Sequence, residues 1–146
     1  MHATVGHSLG GFSLLHAFYE SPDLSVDRIV LLAAPGEAVD FISAFQKTLA
    51  LSDRTVKLVT DYFAGRYGVG PDFFSAHRFA KNLRVKGLII HDEEDTEAPY
   101  HYSPRLHQIW QNSTFITTRG LGHNLKSLSV VKMVADFIRQ PVLHSV

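Results

Sequence analysis

The sequence predicts an α/β fold, a mostly parallel sheet with helices on its faces, and three observations predict it. Short apolar runs alternate with stretches of helical period. One run, "RIVLLAA" at Arg28–Ala34, is apolar at every position after its first, as expected of a strand buried on both faces. The first run ends on a tight corner of glycines around a serine, and an amphipathic stretch follows at once.

Taken in order, "HATV" is a strand stub entering the corner, and Gly11–Tyr19 is the helix leaving it. Arg28–Ala34 is the second strand, "GLIIH" at Gly87–His91 the third, and "STFITT" at Ser113–Thr118 the fourth. "SPRLHQIWQN" links the last two as a helix. "SLSVVKMVADFIRQ" closes the chain with Val130, Val131, Val134, Phe137 and Ile138 on one helical face. The stretch Glu37–Leu83 is longer than a simple crossover needs. It holds two helical segments, "AVDFISAFQKTLAL" and "DRTVKLVTDYFAGRYG". The first carries Val39, Ile42, Phe45 and Leu49 on one face; Ser52 or Asp53 caps the second, and Gly65, Gly68, Gly70 and Pro71 end it. Residues 37–83 are therefore expected to form a helical lid over the carboxyl ends of the strands.

Composition bounds the function. At 146 residues the chain suits a single domain, and 45% hydrophobic with 19% charged residues suits a globular one. Fourteen basic residues balance fourteen acidic ones without basic clusters, so neither nucleic acid nor an anionic membrane is expected as a partner. The absence of cysteine excludes disulfides, thiolate catalysis and cysteine-based zinc sites. The run "IVLLAA" falls far short of the roughly 20 residues a membrane helix needs, and no basic-then-apolar secretory signal opens the sequence. The cytoplasm is the expected location.

Gly6-His7-Ser8-Leu9-Gly10 matches G-x-S-x-G, a strained strand-to-helix turn that lifts a serine hydroxyl above the sheet. Backbone approaches closely there, so a side chain at Gly6 or Gly10 is expected to clash. The helix amino terminus favours developing negative charge at the same spot, and the N–H of Leu9 is the expected oxyanion donor. A serine needs a base, and the base needs a group to orient it. The third strand runs into Asp92, Glu93, Glu94 and Asp95; the fourth runs into "RGLGHNL" with His123. The order serine, acid, histidine at strand ends is the expected one for this scaffold.

His7 is expected to pack or support rather than act as base, because neighbours on such a turn point apart. His91 with Asp92 and Glu94 lacks any metal-ligand spacing, so no metal is expected, and the chemistry requires no cofactor. His2, His16, His77, His101, His107 and His144 stand in no pattern. Phe41, Phe45, Tyr62 and Phe63 enrich the 37–83 segment in aromatic residues. They line an apolar substrate pocket or simply pack short helices.

Together these segments resemble the carboxyl-terminal portion of an α/β-hydrolase. "VGHSLGG" is similar to the family's nucleophile elbow and "LLAAP" to the strand after it. "LIIHDEEDTEAPY" resembles the HG-x-x-D-x-x-V-P segment, which puts the triad acid at Asp95; "GLGHNL" resembles the segment bearing the catalytic histidine, here His123. Asp92 stands where the family commonly has glycine, and Ala98 where it often has valine. The resemblance implies a serine hydrolase of carboxylic esters or related acyl compounds working through Ser8, His123 and Asp95 and an acyl-enzyme. A thioesterase or peptidase on the same scaffold differs only in pocket and leaving group. The contrasting expectations are a non-catalytic hydrolase-like protein that binds a small molecule or partner, and an inactive fragment. The family has further strands before the elbow and a second oxyanion donor from that half, so the sheet is expected to be completed by an amino-terminal half or a second copy.

Overall fold

A computed structural model describes residues 3–141; His2, at the start of the first strand stub, and His144 lie outside the described residues. Four strands, β1 (Ala3–His7), β2 (Arg28–Leu32), β3 (Lys86–Asp92) and β4 (Ser113–Thr118), form one sheet in the order β1-β2-β3-β4. Every neighbouring pair is parallel, with Val5 opposite Val30, Val30 opposite Leu88 and Leu88 opposite Thr114. Because all four strands point the same way, the loops after β1, β3 and β4 emerge at one edge of the sheet.

The alternation of side chains along β2 and β3 builds two cores. Ile29, Leu31 and Ile89 face one side, packed under Phe12, Leu15 and Phe18 of α1 (Leu9–Glu20), Phe79 of α4 (Ala76–Ala80), and Leu106 with Trp110 at α5 (Tyr102–Ile109). Val30, Leu88 and Ile90 face the other side, against Leu125 and against Val130 and Phe137 of α6 (Leu128–Arg139). The unbroken apolar character of β2 is thus the mark of a strand covered twice. Trp110 is fully buried and donates from Nε1 to the Val85 carbonyl, 2.9 Å away.

Several boundaries move. β2 stops at Leu32 rather than Ala34, because Ala33 takes a left-handed φ of 47° and turns the chain out of the ladder. On α6, Val130 and Phe137 are buried, but Val131 is 63% exposed and lies off the packed face. The 37–83 segment contains α2 (Ala38–Thr48) and α3 (Asp53–Tyr67), as expected, and then a 3-10 turn at Pro71–Phe73 and α4, which the sequence reading did not separate. Ser52 is the cap of α3, accepting from the Thr55 amide, and Gly68 ends that helix at φ 78°. The segment is tied back to the sheet end at its base. The amides of Ala38 and Ala76 donate to Phe74 and Gly36, and the Ser75 hydroxyl donates to Glu37. Tyr102 lies so close over Gly36 that a Cβ there would meet its ring at 2.1 Å. Its hydroxyl is pushed up to about 12 by burial and by the neighbouring Asp40 carboxylate.

Candidate active site

The corner after β1 is built from backbone. Ser8 sits at φ 53° and ψ −126°, a region that costs a non-glycine residue about 1–3 kcal/mol. Its amide donates to the Leu32 carbonyl (2.8 Å), and its own carbonyl accepts from the Gly11 amide (2.9 Å), so the strain is held from both sides. A Cβ on Gly6 would stand 2.6 Å from the Gly11 backbone, which only glycine avoids. The expectation for Gly10 fails: nothing lies within 4 Å of a Cβ there, and the tight position is Gly11, packed on Ala34. The helix begins immediately after the serine, so the Leu9 amide is a first-turn donor without an intrahelical acceptor.

The loop after β3 places the Asp95 side chain fully out of solvent. Its Oδ1 accepts from the amides of Glu97 (2.8 Å) and Ala98 (2.9 Å), and its Oδ2 faces His123 Nδ1 at 2.8 Å. Burial works to raise this carboxyl, but the Ala98 amide, the His123 contact and the Glu97 amide outweigh it and hold the group below its ordinary value. A carboxylate only accepts, so His123 carries its hydrogen on Nδ1. That leaves the Nε2 lone pair for the Ser8 hydroxyl, 2.8 Å away. Ser8, His123 and Asp95, separated by up to 115 positions, lie in hydrogen-bond reach in turn, Ser8 to His123 and His123 to Asp95.

His123 reaches this point on a loop of left-handed residues, Gly120 (φ 76°), Gly122 (φ 58°) and Leu125 (φ 49°). Two side chains fix that loop. His7 donates from Nε2 to the His123 carbonyl (2.8 Å), in keeping with its expected supporting role. Asp92, fully buried, accepts from the Thr118 hydroxyl (2.7 Å), the Leu121 amide (3.0 Å) and the Glu94 amide (3.0 Å). Burial would raise Asp92, but the donors from Thr118, Leu121, Glu94 and Gly122 hold it ionised and below its ordinary value. Asp92, the first carboxylate of the acidic run, is therefore a staple for the histidine loop and forms no hydrogen bond with the imidazole among the described residues. The sequence offered one signal for it, the unusual Asp at a glycine position. Glu93 pairs with Arg119 instead, across the same two loops.

An apolar cavity of about 320 Å³ opens beside the corner, walled by Leu9, Phe12, Phe41, Ile42, Phe45 and Phe63 among others, with no polar side chain but Thr60. Phe41, Phe45 and Phe63 line it. Tyr62 does not: it lies on the outer face of α3, 74% exposed, because its position turns it away from α2. Among the described residues no cluster of three metal-ligating side chains occurs.

No family model matches the chain, and no curated protein sequence is similar to it. Solved structures are. A CIB-like hydrolase from Thermoplasma acidophilum superposes with a TM-score of 0.60 at 20% identity, covering 92% of this chain and 49% of its own. A meta-cleavage product hydrolase from Pseudomonas fluorescens gives 0.58 at 22%, covering 92% and 61%. Est1E from Butyrivibrio proteoclasticus gives 0.63 at 20%, covering 92% and 58%. The chain spans about half to two thirds of the length of these neighbours. With its parallel sheet, its strand-to-helix serine corner and these superpositions, the chain has part of the α/β-hydrolase fold.

Proposed function

We propose that the chain is a serine hydrolase of carboxylic esters or related acyl compounds, with Ser8 as nucleophile, His123 as general base and acid, and Asp95 as its orienting carboxylate. One observation carries the reading: the unbroken run of contacts from Ser8 Oγ to His123 Nε2 and from His123 Nδ1 to Asp95 Oδ2, each 2.8 Å. Ser8 Oγ attacks the acyl carbon as its proton passes to Nε2. Asp95, ionised and buried, stabilises the imidazolium and keeps Nδ1–H in place. The carbonyl oxygen becomes an oxyanion received by the Leu9 amide. The proton on Nε2 then goes to the leaving oxygen, the C–O bond breaks, and an acyl-serine remains. Water, deprotonated by the same nitrogen, releases the acid. No step calls for a metal or cofactor.

The cavity indicates the acyl side. Leu9 contributes both the oxyanion amide and a cavity wall, so a carbonyl held by that amide directs its acyl chain between α2 and α3. A volume of about 320 Å³ is at the lower end for small-molecule pockets, and its apolar lining suits an uncharged acyl group of modest size. On this reading residues 37–83 act as lid and selectivity element. The outer edge of β1 pairs with no strand among the described residues, and an apolar groove of about 680 Å³ runs along α6 past Leu32, Val131 and Val134. A strand and helix from further polypeptide, or from a second copy, would cover both, and an amino-terminal half of the family's kind would bring a second oxyanion donor.

The test is hydrolysis of a series of p-nitrophenyl esters. The reading expects turnover with a burst of nitrophenol equal to the enzyme concentration, and its loss in Ser8→Ala. Turnover that survives that substitution unchanged would contradict it.

A further inference from the structure

His91 plays no part in the chemistry above, yet it is a fully buried imidazole in contact with the orienting carboxylate. It is the next-to-last residue of β3 and faces the same side as Ile89, toward α5, while Asp92 faces the opposite side. Its Nε2 lies 3.1 Å from Asp95 Oδ2 and 3.1 Å from the Ala98 carbonyl oxygen. Both atoms only accept, so Nε2 bears the hydrogen. Its Nδ1 lies 2.6 Å from the hydroxyl of Ser103 in the first turn of α5. Tyr100 packs edge-on against the ring, 5.8 Å between centroids.

We propose that His91 is a positioning residue: the Asp95 carboxylate and the Ala98 carbonyl fix its imidazole as the neutral Nε2–H tautomer, Ser103 seats the ring from Nδ1, and the Nε2–H holds Asp95 Oδ2 in the orientation His123 needs. The proposal rests on the reading of Ser8, His123 and Asp95 as the reacting groups. The loop bearing Asp95 supplies the Glu97 and Ala98 amides to Oδ1, whereas Oδ2 is the oxygen His123 uses. His91 is the side chain that fixes Oδ2 from the far side, and it does so by a bridged contact that also binds the Ala98 carbonyl. The neutral state matters as much as the contact. An imidazolium at His91 would share the Asp95 charge, leaving less of it to stabilise a proton on His123. Burial, above all, keeps His91 below its ordinary value despite the Asp95 charge; His123 acts in the same direction as burial. The titratable groups facing it are Asp95 and His123 from the two loops and Tyr100 from the turn before α5. From α5 its hydrogen-bond partner is the Ser103 hydroxyl, which donates to Nδ1.

Two readouts on the full chain test this. Nitrogen chemical shifts of the imidazoles should show His91 with a protonated, pyrrole-type Nε2 and a bare, pyridine-type Nδ1, unchanged across neutral pH. Ser103→Ala should shift Nδ1 without moving the hydrogen to it. The rate at which a fluorophosphonate labels Ser8 should fall about 10- to 100-fold in His91→Phe, the scale of a small misplacement of a reacting group. His91→Gln, which keeps an N–H donor at the same reach, should recover most of that rate. An imidazolium or the Nδ1–H tautomer at His91 would overturn the proposal, as would equal losses in the two variants. If His91→Phe does not fold, the tautomer and the Gln variant still decide. Failure of wild-type labelling at Ser8 would instead defeat the hydrolase reading, and the shifts are read without it.

Discussion

The rim that gathers Ser8, Asp95 and His123 and the helical segment beside it are held by opposite means. At the rim nearly every fixed position is a hydrogen bond to backbone: Ser8 to Leu32, Asp95 to Glu97 and Ala98, Asp92 to Leu121 and Glu94, His7 to the His123 carbonyl. Such bonds have direction, so they set Ser8 and His123 to within tenths of an ångström. In α2 and α3 no residue is buried, and Phe45, Leu58, Val59 and Tyr62 remain largely exposed. That segment is held by its polar base at Glu37, Ser75 and Tyr102, and above it by apolar contact, which tolerates changes of shape. On the proposed function, the contrast assigns reactivity to a directional lattice at the strand ends and selectivity to a loosely packed apolar wall.

The predictions test that division, beginning at the rim. Asp95→Asn should lower kcat by about 10⁴-fold, because an amide in place of the carboxylate favours the wrong tautomer of His123. Steady-state kinetics with an ester that the wild type turns over would measure it, and a loss confined to KM would blur the division. Asp92→Ala should destabilise the fold by about 3 kcal/mol, since it strands several buried donors at once. Denaturant unfolding reads this directly, and the variant should also lose activity through its histidine loop.

The same carboxylates set an acid limit. Asp92 and Asp95 are both held below an ordinary value of 3.8 in the folded state. Their contribution is therefore complete above that value and is lost as pH falls through the lower folded values. His91 adds an earlier loss. Below its ordinary 6.5 the unfolded chain takes up a proton that the folded chain refuses, so stability declines as pH drops from there. Urea midpoints measured down the pH scale should show both, and His91→Gln should remove the first decline alone.

Changes to the apolar wall should act on substrates rather than on stability. Ile42→Trp, which fills part of the 320 Å³ cavity, should raise KM for longer acyl esters and leave acetyl esters little altered. The smallest effect belongs to the outer face: Tyr62→Ala should change stability by no more than about 0.5 kcal/mol and leave the ester profile as it is. A large selectivity change there would place the pocket elsewhere.

Much of this was legible before any coordinates. Strand-end positions are a matter of sequence order once the sheet is parallel, so Ser8, the run Asp92–Asp95 and His123 could be set at one rim from the runs that precede them, while only the resemblance to HG-x-x-D-x-x-V-P singled out Asp95 within that run. The supports were not legible in the same way. Asp92 meets partners 26 and 29 positions away, and two of its acceptances are from backbone amides, which no residue type announces. Ser103 is an unremarked helix residue until α5 sets it against His91. Gly10 looked as constrained as Gly6 because the motif treats them alike, and only the path of the Gly11 backbone separates them. Tyr62 and Phe63 are neighbours in an aromatic-rich helix, and a turn of about 100° decides which one faces the cavity.

The most direct measurement is peptide mapping by mass spectrometry after exposure to a fluorophosphonate, in wild type and in His123→Ala. Reactivity built by the rim predicts a single adduct on Ser8 in the wild type and its near disappearance when the imidazole is gone. An adduct on another residue, or equal labelling of Ser8 in both proteins, would contradict it.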